Sequence, residues 1–161
     1  MPEEKKIIMS PEKIQALQNE LDDIKLNRRK QNAQRLKEAK AQGDISENAE
    51  YDNAMQEYHE LEAREAELSE LLRVAQVLDK SAITMDTVAI GTRVRVYDVE
   101  FDEEEDYYIV GPQETNCLEN KISNESPMGQ ALMGAKVGDT RIVNTLDGDI
   151  AYKVLEISIA E

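Results

Sequence analysis

The sequence predicts an α+β protein in which a long antiparallel α-helical coiled-coil hairpin precedes a small domain with an antiparallel sheet and one short helix. Three observations predict this arrangement. Apolar residues recur at helical spacing on both sides of Gly43, and glycine is common just past a helix end. From about residue 81 the pattern changes to short alternating runs, which are typical of strands. We therefore expect a coiled-coil finger over residues 1–80 and a globular domain over 81–161.

The first arm begins at Ser10-Pro11, since serine is a good N-cap and proline is tolerated at the first helical position. Apolar residues then form a heptad seam at Ile14, Leu17, Leu21 and Ile24. The seam weakens after this point, because Arg28 and Gln31 take the next seam positions. The apolar face resumes out of phase, at Leu36 and Ala39. No glycine or proline interrupts residues 12–42, so one long helix is predicted.

The second arm is predicted from about Ser46 to Leu78. Its apolar stripe repeats every seven residues, at Ala54, Leu61, Leu68 and Ala75. Two helices of equal length with matching seams and a short polar turn indicate an antiparallel coiled coil whose tip lies at residues 43–51.

Charge is divided unevenly between the arms. Residues 25–40 are rich in lysine and arginine, whereas residues 57–70 are rich in glutamate. Pairing between the arms and along each helix explains this pattern in one interpretation. In the other, the basic half faces an anionic partner near the tip.

The second half carries strand and turn signals in succession. Residues 92–99 alternate with a period of two, and residues 107–110 form a second strand after an acidic loop. Ser126-Pro127 repeats the helix-start signal, and Gly134 ends that short helix. Asp147-Gly148 joins two further strands, over residues 140–146 and 150–159, as a hairpin turn.

Composition excludes several classes of protein. The 161 residues carry a net charge of −15, which argues against a protein that coats nucleic acid by bulk attraction. A single cysteine, Cys117, cannot form an internal disulfide, and a reducing compartment is the default. No apolar run approaches a signal core or a membrane span. We expect a soluble cytoplasmic protein with no membrane association.

The tip carries two carboxylates three residues apart, Asp44 and Glu47. One interpretation is a capping box, with Asp44 as N-cap of the second helix and Glu47 at its third position. The other is a metal-binding role. Two carboxylates alone would hold Mg²⁺ weakly, because the ion takes six oxygen ligands. They suit an ion that another protein already holds, such as the second ion of two-metal catalysis at phosphorus.

Two segments resemble the signatures of the bacterial GreA-type transcript cleavage factors, in the Gre family of transcription elongation factors. One is the tip, Gly43-Asp44-Ile45-Ser46-Glu47-Asn48-Ala49-Glu50-Tyr51. The other runs from Ser126 to Gly134 and is followed by Val137-Gly138-Asp139. The resemblance covers essentially the whole chain and implies that the C-terminal domain is FKBP-like. Met55 stands where family members often carry a basic residue, while Lys40 keeps a basic residue near the tip.

The resemblance implies a factor that inserts its coiled coil into the secondary channel of bacterial RNA polymerase. There, Asp44 and Glu47 would help to bind a Mg²⁺ ion shared with the polymerase, and the polymerase would cleave the 3′ end of backtracked RNA. The factor would be no enzyme by itself and would have no cofactor of its own. We expect a monomer that contacts RNA or polymerase near the tip through Lys40, Asn48 and Tyr51. Docking at the channel rim is expected from Ser123, Asn124, Glu125, Ser126 and Pro127.

Two other functions compete with this prediction. A protein of the same fold could occupy the channel and inhibit transcription without stimulating cleavage. The presence of both tip acids favours the cleavage factor. A chaperone-like coiled coil would need an apolar tip, and the tip offers only Ile45.

Overall fold

The computed structural model describes residues 5–43 and 48–160. The chain forms two compact units. The first contains Glu12–Ala75, and the second contains Ile7–Pro11 together with the chain from Gln76 onward. The predicted α+β class is confirmed, with a helical hairpin in the first unit and a mainly antiparallel sheet in the second. Among the helices of the described residues, none is both long and apolar enough to cross a membrane.

The first arm is helical from Pro11 to Ala41, but it is not a regular α-helix throughout. Helix α1 covers Pro11–Asp23, a π-helical segment covers Ile24–Arg28, and helix α2 covers Arg29–Ala41. The buried residues of this arm are Leu17, Leu21, Ile24, Asn32 and Ala39. Gln31 is exposed, so the predicted seam position at Gln31 is wrong. A π-turn holds an extra residue, which moves the seam by one position, to Asn32.

The second arm is a single α-helix, α3, over Ala49–Val74. Three of its four buried residues, Ala54, Leu61 and Leu68, follow the predicted heptad spacing. The fourth is Val74, whereas the predicted seam residue Ala75 is half-buried. The predicted limits are wrong at both ends. The helix starts three residues after Ser46, and residues beyond Val74 form a short strand, β2, over Ala75–Val77. This strand pairs with β1, over Ile7–Met9, in a two-stranded sheet.

The second unit is built on a five-stranded sheet with the order β5-β4-β3-β7-β6. Its strands are β3 over Thr92–Asp98, β4 over Glu103–Val110, β5 over Lys121–Ser123, β6 over Thr140–Thr145 and β7 over Gly148–Ile159. Neighbours are antiparallel except β4 and β5, which are parallel. The prediction of an antiparallel sheet is therefore confirmed for four strands. The sequence did not predict the short strand β5, and β4 begins earlier than predicted.

The core of the second unit lies on one face of this sheet. Strand β3 alternates strictly between buried and half-buried residues, as predicted. Helix α4, over Pro127–Leu132, contributes the fully buried Leu132 to this core. The fully buried side chains at the centre are Val94, Val96, Ile109, Leu132 and Val154.

The residues Ile7–Pro11 belong to the second unit and contact its other residues. Glu114 accepts hydrogen bonds from the backbone N–H and the hydroxyl of Ser10. A Cβ on Gly111 would lie 1.9 Å from the carbonyl oxygen of Ile8, so only glycine permits this close approach. Strand β1 and the segment around Gly111 are thereby fixed against each other.

Candidate functional site at the hairpin tip

The structure describes the residues on both sides of the tip, up to Gly43 and from Asn48 onward. Helix α2 ends at Ala41, and Gly43 follows with a φ of +120°, a conformation that favours glycine. The description resumes at Asn48, directly before α3. The acids Asp44 and Glu47, on which the predicted metal role rests, lie outside the described residues.

Asn48 is the N-cap of α3. Its backbone is extended, with φ −95° and ψ 99°, and its Oδ1 accepts a hydrogen bond from the backbone N–H of Tyr51 at 3.2 Å. The interpretation of Asp44 as N-cap, with Glu47 at the third helical position, is therefore wrong. Asparagine is as good an N-cap as aspartate. Helix α3 has its cap without either acid, so a capping function does not account for the two carboxylates.

The Asn48 side chain also connects the two arms. Its Nδ2 donates a hydrogen bond to the carbonyl oxygen of Ala39 at 2.7 Å. Ala39 lies in the last turn of α2, where backbone carbonyls have no partner within the helix. A second amide bridge lies farther down the hairpin, where Asn32 Nδ2 donates to the carbonyl oxygen of Ala54 at 2.8 Å. Sequence analysis missed Asn32, although the phase change after Ile24 was its signal.

The basic half of the first arm is partly neutralised by the second arm. Arg29 Nη1 lies 2.9 Å from Glu65 Oε2, and the Arg29 guanidinium also lies 5.6 Å from the centre of the Tyr58 ring. Arg35 pairs with Glu57. Pairing between the arms thus accounts for these two arginines.

The lysines of the same region behave differently. Within the described residues, no ion pair involves the four lysines of this stretch, namely Lys25, Lys30, Lys37 and Lys40. Lys25, Lys30 and Lys37 extend along the arm, and Lys40 is exposed one residue before the end of α2. An anionic partner near the tip would meet these lysines rather than the two paired arginines.

Tyr51, the other predicted contact residue near the tip, is half-buried in the first turn of α3. Met55, which stands where family members often carry a basic residue, is half-buried one turn later. Among residues 5–43 and 48–160, no group of three His, Cys, Asp or Glu side chains is arranged to hold a metal ion.

The second predicted contact region, residues 123–127, is a tightly folded loop before α4. Ser123 is buried, and its hydroxyl accepts the backbone N–H of Glu125 at 2.9 Å. Ser126 is the N-cap of α4, as predicted. Its hydroxyl accepts the N–H of Gly129 at 3.0 Å and donates to the carbonyl oxygen of Ser123 at 2.7 Å. Both serine hydroxyls therefore shape the loop.

The remaining residues of that loop are at least partly exposed to solvent. Glu125 and Pro127 are exposed, and Asn124 is half-buried. Gly129 closes the loop, because a Cβ there would lie 1.9 Å from the carbonyl oxygen of Ser123. A partner that docks on this loop would meet Glu125 and Pro127 on a backbone fixed by the two serines.

Two family models match the chain, one in each half. The family model "Transcription elongation factor, N-terminal" matches residues 7–77. The model "Transcription elongation factor, GreA/GreB, C-term" matches residues 83–159.

Individual relatives match over nearly the full length. The chain is 47% identical over 154 residues to transcription elongation factor GreA of Lachnoclostridium phytofermentans, with 96% of each chain covered. It is 46% identical over 157 residues to the GreA of Acetivibrio thermocellus, covering 98% of this chain and 99% of the relative. The crystal structure of GreA factor homolog 1 (Gfh1) of Thermus thermophilus is 27% identical, covers 96% of this chain and 99% of its own, and gives a TM-score of 0.45.

Proposed function

The chain belongs to the GreA/GreB family of transcription elongation factors, and we propose that it stimulates RNA polymerase to cleave the 3′ end of backtracked RNA. Cleavage would return a paired 3′ end to the polymerase active site, and elongation would resume. The proposal places the hairpin tip in the secondary channel of the polymerase and the second unit at the rim of that channel. Its working compartment would be the cytoplasm.

The observation that supports this proposal most directly is the N-cap of α3. Because Asn48 caps the helix, Asp44 and Glu47 are not needed to start it. Two carboxylates that the helix cap does not use, at the tip of a long hairpin, are suited to a role in a partner's active site.

Asp44 and Glu47 would supply carboxylate oxygens to a Mg²⁺ ion that the polymerase holds with its own ligands. Such an ion activates water and stabilises the charge that develops on phosphate oxygens. The chain's own contribution would be to bring these oxygens into the site and to orient a water molecule there. Since the chain supplies only part of the ligand set, we propose that it is no nuclease by itself.

The lysines that form no ion pair within residues 5–43 and 48–160 suggest how the tip meets its partner. Lys40 would contact RNA phosphates or polymerase acids near the tip, with Asn48 and Tyr51 on the opposite flank. The loop at 123–127 would dock on the polymerase through Glu125 and Pro127, a surface that favours a basic partner. A monomer suffices for all of these contacts.

An inhibitor of the same fold is the alternative. Two relatives named transcription elongation factor GreA are 47% and 46% identical to this chain over nearly its full length. Together with the presence of both tip acids, this likeness favours a cleavage factor.

The decisive experiment changes the tip acids in the full-length protein. Asp44→Asn and Glu47→Gln preserve size and remove charge, so each should abolish stimulated cleavage in stalled, backtracked elongation complexes supplied with Mg²⁺. Polymerase binding should stay nearly unchanged. Glu50→Gln is the matched control, because Glu50 is an exposed acid in the first turn of α3, and it should retain most of the activity. Stimulated cleavage by the Asp44→Asn/Glu47→Gln double variant would refute the proposal.

The same preparation tests whether the chain is an enzyme. Incubated with free RNA and millimolar Mg²⁺ but without polymerase, it should produce no cleavage fragments on a denaturing gel. Hydrolysis that co-purifies with the protein and disappears in the Asp44→Asn variant would show an autonomous nuclease instead.

A further inference from the structure

A polar residue lies in the buried seam of the hairpin. Asn32 is only 2% exposed, whereas its neighbour Gln31 is exposed. The π-helical segment Ile24–Arg28 causes this choice, because its extra residue turns Asn32 rather than Gln31 towards the second arm. The first arm therefore departs from regular helix geometry and buries an amide where a heptad seam would place an apolar side chain.

The Asn32 amide is held by the second arm. Its Nδ2 donates to the carbonyl oxygen of Ala54 at 2.8 Å and to Glu57 Oε2 at 3.2 Å. Arg35 of the first arm binds the same carboxylate oxygen of Glu57. Burying an amide costs free energy unless it is hydrogen-bonded, and an apolar residue would avoid this cost. A buried asparagine in a coiled-coil seam is known to fix the register of the helices at some expense in stability.

A reciprocal bridge lies at the tip. Asn48 of the second arm donates its Nδ2 hydrogen to the carbonyl oxygen of Ala39 in the first arm, at 2.7 Å. Asn32 and Asn48 thus make the same kind of bond in opposite directions. The acids at 44 and 47 lie in the chain between Ala39 and Ala54, which are the two residues whose carbonyls accept these bonds.

We infer that Asn32 and Asn48 are positioning residues that fix the axial register of the two arms and thereby place the tip acids. This inference rests on the proposed function for its catalytic consequence. Apolar contacts between Ala39, Ala54 and their neighbours are non-directional, whereas an N–H···O=C bond has one correct register. A slip by one residue displaces an arm by about 1.5 Å. Misplacing a catalytic group by about 1 Å can lower a rate by about 100-fold.

The first test measures stimulated cleavage with the full-length protein. Asn32→Leu retains the branched shape of asparagine and removes the donor, while Asn48→Ser retains the helix cap and removes the reach to Ala39. The maximal cleavage rate at saturating factor should fall by about 10-fold or more in each variant, by the positioning argument above. The concentration that gives half-maximal cleavage should change little in Asn32→Leu, because this variant leaves both the docking loop and the predicted contact residues near the tip intact.

Asn53→Leu is the matched control. Asn53 is exposed beside Ala54, so Asn53→Leu makes the same substitution outside the seam. The maximal cleavage rate of this variant should stay at the wild-type level. Helical circular dichroism and the melting temperature separate positioning from folding. Asn32→Leu should melt at the wild-type temperature or above it, since an apolar residue suits the seam. A rate loss that is matched by lost helical signal, or no rate loss in either variant, would overturn the inference.

The second test measures register without any polymerase. Spin labels on cysteines at the exposed Ala33 and Asp52, with Cys117 replaced by serine, report the distance between the arms by pulsed electron paramagnetic resonance. The parent protein should give one narrow distance distribution, and Asn32→Leu and Asn48→Ser should shift or broaden it. Unchanged distributions in both variants would refute the register role whatever the cleavage data show. Failure of the parent protein to stimulate cleavage would instead refute the proposed function.

Discussion

The hairpin and the sheet unit are stabilised by different kinds of contact. In the sheet unit, strands β3, β4 and β7 and helix α4 surround one cluster of fully buried aliphatic side chains. In the hairpin, the buried leucines Leu17, Leu21, Leu61 and Leu68 are farther from the tip than the small or polar Asn32, Ala39 and Ala54. Polar contacts between the arms, such as the pair of Arg35 with Glu57, accompany that narrow seam.

This difference indicates that the stability of the protein and the position of the hairpin tip depend on different contacts. Aliphatic burial contributes most of the free energy of folding, but it is non-directional. Hydrogen bonds and ion pairs contribute less and are directional. The sheet unit is therefore suited to supply most of the stability, while the part of the hairpin near residues 43–51 is suited to hold a polar tip in one position. Three measurements on stability test this comparison.

The largest effect is expected in the core of the sheet unit. Leu132→Ala should lower the free energy of unfolding by about 3 kcal/mol, because it leaves a cavity at a side chain with no exposed surface. Leu118→Ala is the matched control, since Leu118 is 97% exposed, and it should change the free energy by less than about 0.5 kcal/mol. Urea denaturation measures both. Equal losses in the two variants would contradict a core centred on Leu132.

A smaller effect, with a defined pH dependence, is expected at Asp106 of the sheet unit. Hydrogen bonds from Arg95 and Arg93 lower the pKa of this carboxyl below its ordinary value of 3.8. A lowered pKa in the folded state contributes stability above the unfolded pKa, and this contribution is lost as the pH falls through the folded pKa. Asp106→Asn should therefore cost about 1 kcal/mol at pH 7.

The cost of Asp106→Asn should start to shrink as the pH is lowered below about 4, the ordinary pKa of this carboxyl in the unfolded chain, and should vanish below its lower folded-state pKa. Thermal melts of both proteins between pH 7 and pH 2 measure this change. Asp149→Asn is the control, because Asp149 is exposed and has no ion pair among the described residues. A cost at Asp106 that stays constant with pH would assign the effect to packing rather than to charge.

The smallest effect is expected at an ion pair between the arms. Arg64 binds Glu20 through two nitrogens, at 2.7 and 2.9 Å, and both side chains are more than one third exposed. Arg64→Gln should cost about 0.5 kcal/mol at low salt, and less as added salt screens the pair. Helical melts at two salt concentrations measure this difference. A cost that is independent of salt would show that the arginine stem packs against the hairpin.

The sequence by itself determined the class of the fold and most of its elements. Heptad spacing identified α3, alternation identified β3, and Ser126-Pro127 identified the start of α4, because each of these signals is local in the chain. The two signature segments also identified the family, which the matches over residues 7–77 and 83–159 confirm. The role predicted for Asp44 and Glu47 stays a prediction.

Only the tertiary structure decided how the two arms meet. Position 48 rather than 44 caps α3, because the Asn48 side chain can serve the cap and the opposite arm at once. Asn32 rather than Gln31 enters the seam because the π-helical segment shifts the first arm by one residue, and Ala54 and Glu57 of the second arm accept the hydrogen bonds of its amide. The parallel pairing of β5 with β4 likewise depends on residues distant in sequence. Local spacing carries no information about these partners, since each forms its bond only after the chain has folded back on itself.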